Sequence, residues 1–519
     1  MQTTSTLLNV IFFIHVMVKS TLISRHPYMP KSFILLLFLL LNVSTLQGID
    51  RTFEMSDVLK SAFKDISSLK IYSGQQKLNA SRASDPNNMM LYYVENYIDF
   101  YTLFIEEDNK KYKQLLPNRD IRLQNIKKGD PTSPYFLYCQ AEVILQWATI
   151  KLKFGEKINA AVDVYEAYNL LKKNKEKFPG FAENNKSLSL IHALSESVPS
   201  WLKKIMGIHG SVDMGTREIS ILAAKASVEQ NIFKEEIVAI YSYILFYGNN
   251  KKEEAYQLFS VYNLDHKTNP LIAFLKATMA QKTGRNEEAI RVLQERPTGN
   301  QYLPFYYLDF MYGKFKLCRL DKDADVYIWR FIKNFNGRHY IKEAYQKLAW
   351  YDIVISNNTT GYQNNMKLCI KYGQTLIDED IQAYKDAKSN KIPNDILLKA
   401  RLLFDGGYYA KAQNLLILHS DDFVNAIHDG EYYYRLARVT DALKNYVDAI
   451  DYYDITIIKS DPSKYYACSS ALYAGLICEH QKLPTKARKY FEKCLDLDPA
   501  GYASSLHAKA KAGLNRVNN

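Results

Sequence analysis

The chain has 519 residues, of which 47% are hydrophobic and 24% are charged, as expected for a globular and soluble protein. Tyrosine is abundant (40 residues), whereas glycine (21) and proline (15) are scarce, and this balance favours long packed helices over a β-sandwich. The formal charge is +12, but no clustered basic face or nucleic-acid-binding motif accompanies it. We therefore expect a basic, solvated surface and no nucleic-acid partner.

Residues 29–48 have the order of a secretory signal. Lys31 supplies a short positive region, residues 33–41 form an unbroken apolar run, and small and polar residues follow. The apolar run is too short to span a bilayer. We therefore predict a targeting segment at residues 1–48 with Met29 as the true start. The protein is then secreted or periplasmic, with no stable membrane span after signal removal. The alternative is an uncleaved N-terminal helix that anchors the chain in a membrane.

The stretch SVPSWLKKIMGIHGSVDMGTREI, residues 197–219, raises the question of a phosphate loop or a catalytic centre. A phosphate loop needs Lys followed by Ser or Thr after its last glycine, whereas Thr and Arg follow Gly215. His209, Ser211 and Asp213 are alternate residues of one turn and splay apart, unlike a catalytic triad drawn from distant segments. We interpret the stretch as a structural joint in which Ser211 or Asp213 caps the next helix.

Four helical hairpins recur after this joint. In each hairpin, two small residues 12 positions apart lie on opposite helices, where the backbones must approach closely. In the last one, Phe491 follows four residues after Ala487 on the same helix face, and Pro499 ends the helix. The four pairs are Ala277 and Ala289, Ala400 and Ala412, Ala437 and Ala449, and Gly475 and Ala487.

This pattern resembles the tetratricopeptide repeat (TPR), with small residues at the helix crossing, an aromatic residue four positions later and a terminal proline. The resemblance implies an all-α fold, an α-solenoid of TPR-like hairpins wound into a right-handed superhelix. A single hairpin cannot bury its own apolar face, whereas stacked neighbours can. We predict a targeting segment at 1–48, an N-terminal helical block with degenerate repeats at 49–206, the repeat array at 207–500, and a capping helix and tail at 501–519.

The layout is also similar to the eukaryotic TPR proteins named for inclusion-body clearance in yeast. In that family a VP…LK…GF.GD…G stretch opens the main repeat block. The aspartate expected after Gly210 is Ser211 here, and the predicted signal contrasts with an intracellular family, so the resemblance implies the fold but not the cellular role. Secreted repeat proteins of Gram-negative bacteria also have a similar mature length. The matching positions are Val198, Pro199, Leu202, Lys203, Gly207, Gly210 and Gly215.

No motif in the sequence indicates an enzyme. Paired carboxylates, HExxH, GxSxG and metal-ligand spacings are absent, and the six cysteines form no CxxC pair, so we expect buried free thiols. The acidic string DEDIQAYKD at 378–386 is interpreted as a solvated helix face, and residues 305–350 are helical but fit the repeat register poorly. We predict no catalytic residue, no metal and no cofactor. A helical glycosidase with carboxylates from distant helices remains an alternative.

We predict a non-catalytic scaffold of the cell envelope that binds a partner protein in a concave groove lined by first-helix positions. Arg401 and Arg438 occupy equivalent places in two repeats, and beside Tyr434 they are suited to clasp an acidic side chain or a C-terminal carboxylate. The competing interpretation pairs both arginines with neighbouring acids. A secreted glycan-binding receptor (SusD-like) is the alternative function, although the chain lacks its anchor cysteine. The groove positions in register are Phe274, Leu397, Arg401, Phe404, Tyr434, Arg438 and Asp441.

Overall fold

Helices carry the fold in the computed structural model, which describes residues 51–196, 207–423 and 429–518. The predicted targeting segment and positions 198–203 of the inclusion-body-clearance resemblance lie outside these residues. Within them, the only extended pairing is an isolated bridge between Thr52 and Asn88. No helix of the described part is long and apolar enough to cross a membrane.

The described segments contain 24 α-helices, which agrees with the predicted all-α class. They are α1 (Asp57–Ser67), α2 (Ile71–Ser84), α3 (Met90–Glu106), α4 (Asn109–Ile126), α5 (Tyr135–Lys153), α6 (Lys157–Lys177), α7 (Asn184–Ser195), α8 (Val212–Val228), α9 (Lys234–Tyr243), α10 (Lys252–Val261), α11 (Pro270–Lys282), α12 (Asn286–Gln294), α13 (Tyr307–Arg319), α14 (Ala324–Asn334), α15 (Ile341–Val354), α16 (Thr359–Lys371), α17 (Asp378–Ser389), α18 (Asp395–Asp405), α19 (Tyr409–Leu418), α20 (Asp429–Ala442), α21 (Tyr446–Lys459), α22 (Tyr465–His480), α23 (Pro484–Asp496) and α24 (Ala503–Asn518).

The described helices form two compact units. Each unit has its own buried apolar core, and most helices pack against the next helix along the chain, so the architecture is that of an all-α array of hairpins. Of the described residues, the first unit contains 51–196, 207–279, 295–305 and 335–337, and the second contains 280–294, 306–334, 338–423 and 429–518.

A buried lysine joins four helices of the first unit. The Nζ atom of Lys186 lies 2.7 Å from a carboxylate oxygen of Glu142 and 2.7 Å from one of Glu236, and it donates to the Tyr97 hydroxyl at 3.3 Å. These residues come from α3, α5, α7 and α9. Burial lowers the pKa of Lys186, but the two carboxylates outweigh burial and raise it well above its usual value. The lysine is therefore charged and fully compensated, as a buried cation must be.

In the first unit, residues 207–211 lead into the start of α8. Ser211 caps α8, because its Oγ accepts a hydrogen bond from the backbone N–H of Met214 at 3.0 Å. A Cβ atom on Gly215 would lie 2.3 Å from the carbonyl oxygen of Ser189, so glycine permits the close packing of α8 on α7. His209 and Asp213 are exposed. The prediction that Ser211 or Asp213 caps the next helix is confirmed for Ser211.

The predicted hairpin crossings are confirmed in the second unit. The alanines of the pairs at 400 and 412 and at 437 and 449 are buried, and in each case the two helices that carry them pack together. In the last hairpin, a Cβ atom on Gly475 would lie 2.7 Å from the ring of Phe491. Pro484 opens α23 at its first turn, and Ala487, Phe491 and Cys494 form its buried face. The helices of each hairpin therefore approach where the small residues were predicted.

Two turns of the second unit touch although seven helices, α12–α18, separate them along the chain. Gly284 and Gly407 both have a left-handed φ, +78° and +80°, and a Cβ atom on Gly407 would lie 2.2 Å from the carbonyl oxygen of Gly284. Beside them, Gln281 donates to the carbonyl oxygen of Asp405 at 3.0 Å. In a simple repeat array each repeat contacts only its neighbours. Here α13–α17 lie between two repeat hairpins, α11–α12 and α18–α19, and the turns of those two hairpins are in contact.

Replacement of Lys186 by Met is expected to lower the free energy of unfolding by about 3–5 kcal/mol, because it leaves buried carboxylates without their cation. Urea unfolding followed by circular dichroism measures the change. The matched control is Lys172→Met, at an exposed position of α6, which should change stability by less than about 0.5 kcal/mol. Equal stability of both variants would contradict a structural role of the buried charge.

Gly407→Ala should lower the free energy of unfolding of the second unit by at least about 2 kcal/mol. The added Cβ atom would strain the left-handed backbone at this position and would also clash with the backbone of Gly284. Gly501→Ala is the control, since a Cβ atom there meets nothing within 4 Å. Thermal unfolding of both variants tests the contact between the two turns. A Gly407→Ala variant as stable as the control would show that the turns do not touch in solution.

Candidate functional site

A recess of about 470 Å³ lies on the first-helix side of the second unit. It is bounded by α13, α15 and α18 together with the turn between α11 and α12, and we call it the α13–α18 pocket. Its lining is rich in charge, with four cationic side chains and two carboxylates. The charged lining residues are Lys282, Lys314, Lys347, Arg401, Glu343 and Asp405, and the aromatic ones are Trp350, Phe404 and Tyr409.

Helical spacing brings the polar groups to one side of the pocket. On α15, Glu343, Lys347 and Trp350 are four and then three residues apart, which places them on one face of the helix. On α18, Arg401 and Phe404 are three residues apart and also share a face. The contact between the turns at Gly284 and Gly407 closes one end of the same recess. The pocket therefore depends on helices that are distant in sequence.

Asp380 of α17 fixes the start of α15. Its carboxylate accepts hydrogen bonds from the backbone N–H groups of Tyr340, at 2.7 Å, and Glu343, at 3.0 Å. Asp380 is fully buried, so the prediction that DEDIQAYKD is a solvated helix face is wrong at this position. Asp380 is buried because it caps α15. The first backbone N–H groups of that helix have no partner within the helix, and the N-cap residue, Tyr340, makes no side-chain capping hydrogen bond. Burial raises the pKa of Asp380 to about 6, although the hydrogen bonds from the backbone N–H groups lower it in part.

Glu343 and two lysines form a buried charge network. The Nζ atoms of Lys314 and Lys347 lie 2.9 Å and 3.6 Å from Oε1 of Glu343. Burial raises the pKa of the Glu343 carboxyl, but the two lysines outweigh burial and hold that pKa below its usual value. The other carboxylate oxygen of Glu343, Oε2, is buried and has no hydrogen-bond partner. A buried acceptor beside the pocket therefore lacks a donor.

The indole ring of Trp350 carries two cations. The Nζ atom of Lys347 lies 3.6 Å from the ring centroid, and the guanidinium carbon of Arg401 lies 4.7 Å from it. Arg401 forms a long ion pair with Asp405, 3.8 Å from Nε to Oδ2. Its charge also helps to lower the pKa of Glu431, which is paired more closely with Arg435. Burial lowers the pKa of Lys347 to about 8; Glu343 opposes this shift, whereas the charges of Lys314 and Arg401 add to it. Positive charge is therefore in excess around the ring, which favours an anionic ligand.

The predicted groove residues are only partly brought together. Arg401 and Phe404 line the α13–α18 pocket. Arg438 lies next to them but stacks on rings, with its guanidinium carbon 3.7 Å from the centroid of Tyr473 and 5.0 Å from that of Phe404. Arg401 meets the acid Asp405, as the competing interpretation required, whereas Arg438 is held by aromatic faces.

The remaining predicted positions have structural contacts. Leu397 and Tyr434 are buried, and the Tyr434 hydroxyl is 3.2 Å from that of Ser469. Asp441 accepts a hydrogen bond from the Tyr453 hydroxyl at 3.1 Å. Phe274 belongs to the first unit, where its ring centroid lies 5.8 Å from that of Phe305.

The pocket residues Lys314, Glu343, Lys347 and Trp350 were missed by the sequence analysis. They lie in the region that fits the repeat register poorly, so their face was not assigned. The available signal was the string EAYQKLAW, in which an acid, a base and a tryptophan share one helix face. Nothing in that string identifies α18 as the opposite wall, because the wall comes from a helix about fifty residues away.

Comparisons with known proteins leave the family open. No protein-family profile matches the chain, and no curated protein sequence matches it. The chain is similar to the solved structure titled "Structure of Naa15/Naa10 bound to HypK-THB", with 14% sequence identity and a TM-score of 0.25. The match covers 89% of this chain and 66% of that chain, so this chain spans slightly less than two thirds of its length. With so low a TM-score, neither the activity nor the partners of that complex are transferred to this chain.

The raised pKa of Asp380 predicts a specific pH dependence. Because its pKa is about 6 in the folded state and 3.8 as a model carboxyl, the folded protein gains stability from this group as pH falls through 6. Relative to Asp380→Asn, which cannot titrate, the wild type should gain about 1 kcal/mol between pH 7 and pH 5. Urea unfolding followed by tryptophan fluorescence tests this. The control Asp378→Asn, exposed on the same helix, should follow the wild type at both pH values.

Proposed function

We propose that the protein is a non-catalytic adaptor whose second unit binds a carboxylate-bearing segment of a partner protein in the α13–α18 pocket. The observation that supports this proposal is the pair of cations, Lys347 and Arg401, on the ring of Trp350. Together with Lys314 they make three cations beside the two carboxylates of Glu343 and Asp405. A ligand carboxylate between them would form charge-assisted hydrogen bonds, which are the stronger class. Its charge would also favour the protonated form of Lys347.

The chemistry of the pocket favours a peptide over a simple anion. The free Oε2 atom of Glu343 needs a donor, and a peptide N–H group supplies one next to a carboxylate. An inorganic anion would leave this buried acceptor unpaired, at a cost in binding free energy. The volume of about 470 Å³ suits a few residues of an extended segment, not a folded domain. An acidic side chain or a chain terminus in a flexible tail fits these limits.

The glycan-receptor alternative is less well supported by this pocket. Sugar binding on an aromatic platform needs an exposed ring face, whereas Trp350 is 5% exposed and its ring carries Lys347 and Arg401. The helical glycosidase alternative needs two carboxylates of separate function flanking a bond. Glu343 is instead held by two lysines. We therefore favour protein binding over both alternatives.

We further propose that the repeats are of the TPR class and that the chain is exported. Hairpins with small residues 12 positions apart at their crossings support the first part. The order of residues 29–48 supports the second and places the adaptor in the cell envelope or outside the cell, with a membrane anchor as the alternative. The similarity to secreted bacterial repeat proteins is consistent with both parts, and the intracellular role of the inclusion-body-clearance family is not proposed.

The test is capture of the partner from the cell envelope. Tagged mature protein is cross-linked in its own envelope fraction, captured proteins are identified by mass spectrometry, and synthetic peptides from the acidic tails of the enriched protein are titrated by Trp fluorescence. The double variant Lys347→Ala, Arg401→Ala should weaken peptide binding at least about tenfold, since each charged hydrogen bond contributes about 1.5–3 kcal/mol. Lys385→Ala, at an exposed position of α17, is the control.

Two further outcomes decide the proposal. Neutral peptides, in which Gln and Asn replace the acids, should bind as weakly to the wild type as acidic peptides bind to the double variant. If one protein is enriched but the double variant binds its acidic peptides as well as the wild type does, the α13–α18 pocket is not the binding site. If no protein is enriched while the protein is retained on a glycan affinity gel, the adaptor proposal is wrong and the receptor alternative replaces it.

A further inference from the structure

Two thiols lie side by side in the last hairpin, away from the α13–α18 pocket. The sulfur atoms of Cys468 in α22 and Cys494 in α23 are 3.6 Å apart. The Cys468 thiol also lies 3.3 Å from the carbonyl oxygen of Cys494. All six cysteines are buried free thiols, as the sequence analysis expected. The sequence contains no CxxC pair, but these two cysteines, 26 residues apart, meet through the fold.

The two sulfur atoms are close enough to form a disulfide after a small movement. A disulfide bond joins its sulfurs at about 2.05 Å, so these two need to approach by about 1.5 Å. The two residues lie on helices that already pack together in one hairpin, and a rotation about the side-chain bonds changes the distance between sulfurs without moving the backbone. A pair of buried thiols at this distance is therefore prearranged for a bond.

A histidine lies next to one of the thiols. His507 of α24 is hydrogen-bonded through Nε2 to the carbonyl oxygen of Leu497 at 2.8 Å, which orients Nε2–H toward that oxygen. The hydrogen bond from Cys494 lowers the pKa of the Cys468 thiol; burial opposes this, and His507 lowers the pKa further. The same contact raises the pKa of Cys494. Cys468 is thus the thiol that ionises first, and the thiolate is the nucleophile in exchange reactions.

We propose that Cys468 and Cys494 are a modification site and form an intramolecular disulfide by exchange with an external disulfide, that of a thiol oxidoreductase or a small molecule. The Cys468 thiolate attacks one sulfur of the external disulfide, breaks its S–S bond and releases one thiol. Cys494 then loses its proton and attacks the Cys468 sulfur, which breaks the mixed disulfide and releases the second thiol. The protein loses two S–H hydrogens, and the external disulfide is reduced to two thiols.

The helix α24 controls access to this site. Cys468 is 1% exposed and Cys494 is not exposed, and Leu506 and Ala510 of α24 belong to the same apolar cluster as both thiols. An external disulfide can reach Cys468 only when α24 opens. The buried residues of α24 are Leu506, Ala510 and Gly513, and most of its other residues are exposed, so little buried area holds the helix and it opens at low free energy. The bond therefore forms either before α24 packs during folding or during its transient opening.

A soft-metal site is the main competing use of two adjacent thiols. Among the described residues, no group of three or more His, Cys, Asp or Glu side chains is arranged to hold a metal ion. Two sulfurs facing each other within one hairpin favour mutual bonding. The disulfide would join α22 to α23 across the hairpin and restrict the unfolded chain, so it should raise the melting temperature of the oxidised protein.

The test uses the full-length, reduced protein and glutathione disulfide as the external disulfide. Thiol titration in denaturant should show two fewer thiols after incubation, and non-reducing peptide mapping should link the segments that contain Cys468 and Cys494. Cys494→Ser should stop at a stable mixed disulfide with glutathione at Cys468. Cys478→Ser, which removes a buried thiol of the same cluster, should still lose two thiols.

A second variant distinguishes the access of the external disulfide to Cys468 from the thiol–disulfide exchange itself. Leu506→Ala loosens the packing of α24 and should increase the rate of thiol loss severalfold without changing which cysteines are linked. If the wild type and Leu506→Ala both keep all six thiols under conditions that oxidise the unfolded chain, the proposal is wrong. Linkage between any other two cysteines, or an adduct distributed over several cysteines, would also overturn it.

Discussion

The second unit depends on the close approach of neighbouring helices. This approach is required because a hairpin of two helices leaves one apolar face uncovered, which the next hairpin must cover. Alanine or glycine at the crossing lets the two backbones approach, as at Ala437 and Ala449, or lets an aromatic ring fill the gap, as Phe491 does against Gly475. Once each hairpin is closed, its first helix packs against the first helix of the next hairpin. The side chains that those first helices do not use for packing are then presented together on one side. One wall of the α13–α18 pocket, α18, is supplied in this way.

Both units bury charge, and they differ in how completely it is compensated. In the first unit, Lys186 is held by two carboxylates, which is the condition under which a buried cation is tolerated. In the second unit, one carboxylate, Glu343, faces two lysines, and it keeps an unpaired oxygen. The first network is satisfied within the protein and has no need of a ligand. The second has cation in excess and an acceptor without a donor, and this imbalance is the basis of the proposed selectivity for a carboxylate that carries a neighbouring N–H group.

Irregular parts of the second unit position the pocket more than the regular repeats do. The helices α13–α17 interrupt the repeat register, yet they supply Lys314, Glu343, Lys347 and Trp350. Their placement relies on contacts between distant segments, such as the meeting of the turns at Gly284 and Gly407 and the capping of α15 by Asp380. The paired thiols of the last hairpin belong to the same class of feature. Each is a contact between side chains whose spacing along the chain carries no pattern.

The sequence by itself determined the all-α class, the hairpin crossings of the second unit, the capping of α8 by Ser211 and the burial of the cysteines, because these depend on local periodicity and on small residues at fixed spacing. Repeat register also predicted Arg401 and Phe404 as groove residues, and both line the α13–α18 pocket. Only the tertiary structure decided that Asp380 is buried, that Arg438 stacks on rings, that Phe274 lies in another unit and that α15 faces α18. Those outcomes depend on which distant helices meet. Sequence periodicity cannot predict this, because a helix face that binds a partner and a helix face that packs on a neighbouring helix show the same periodicity.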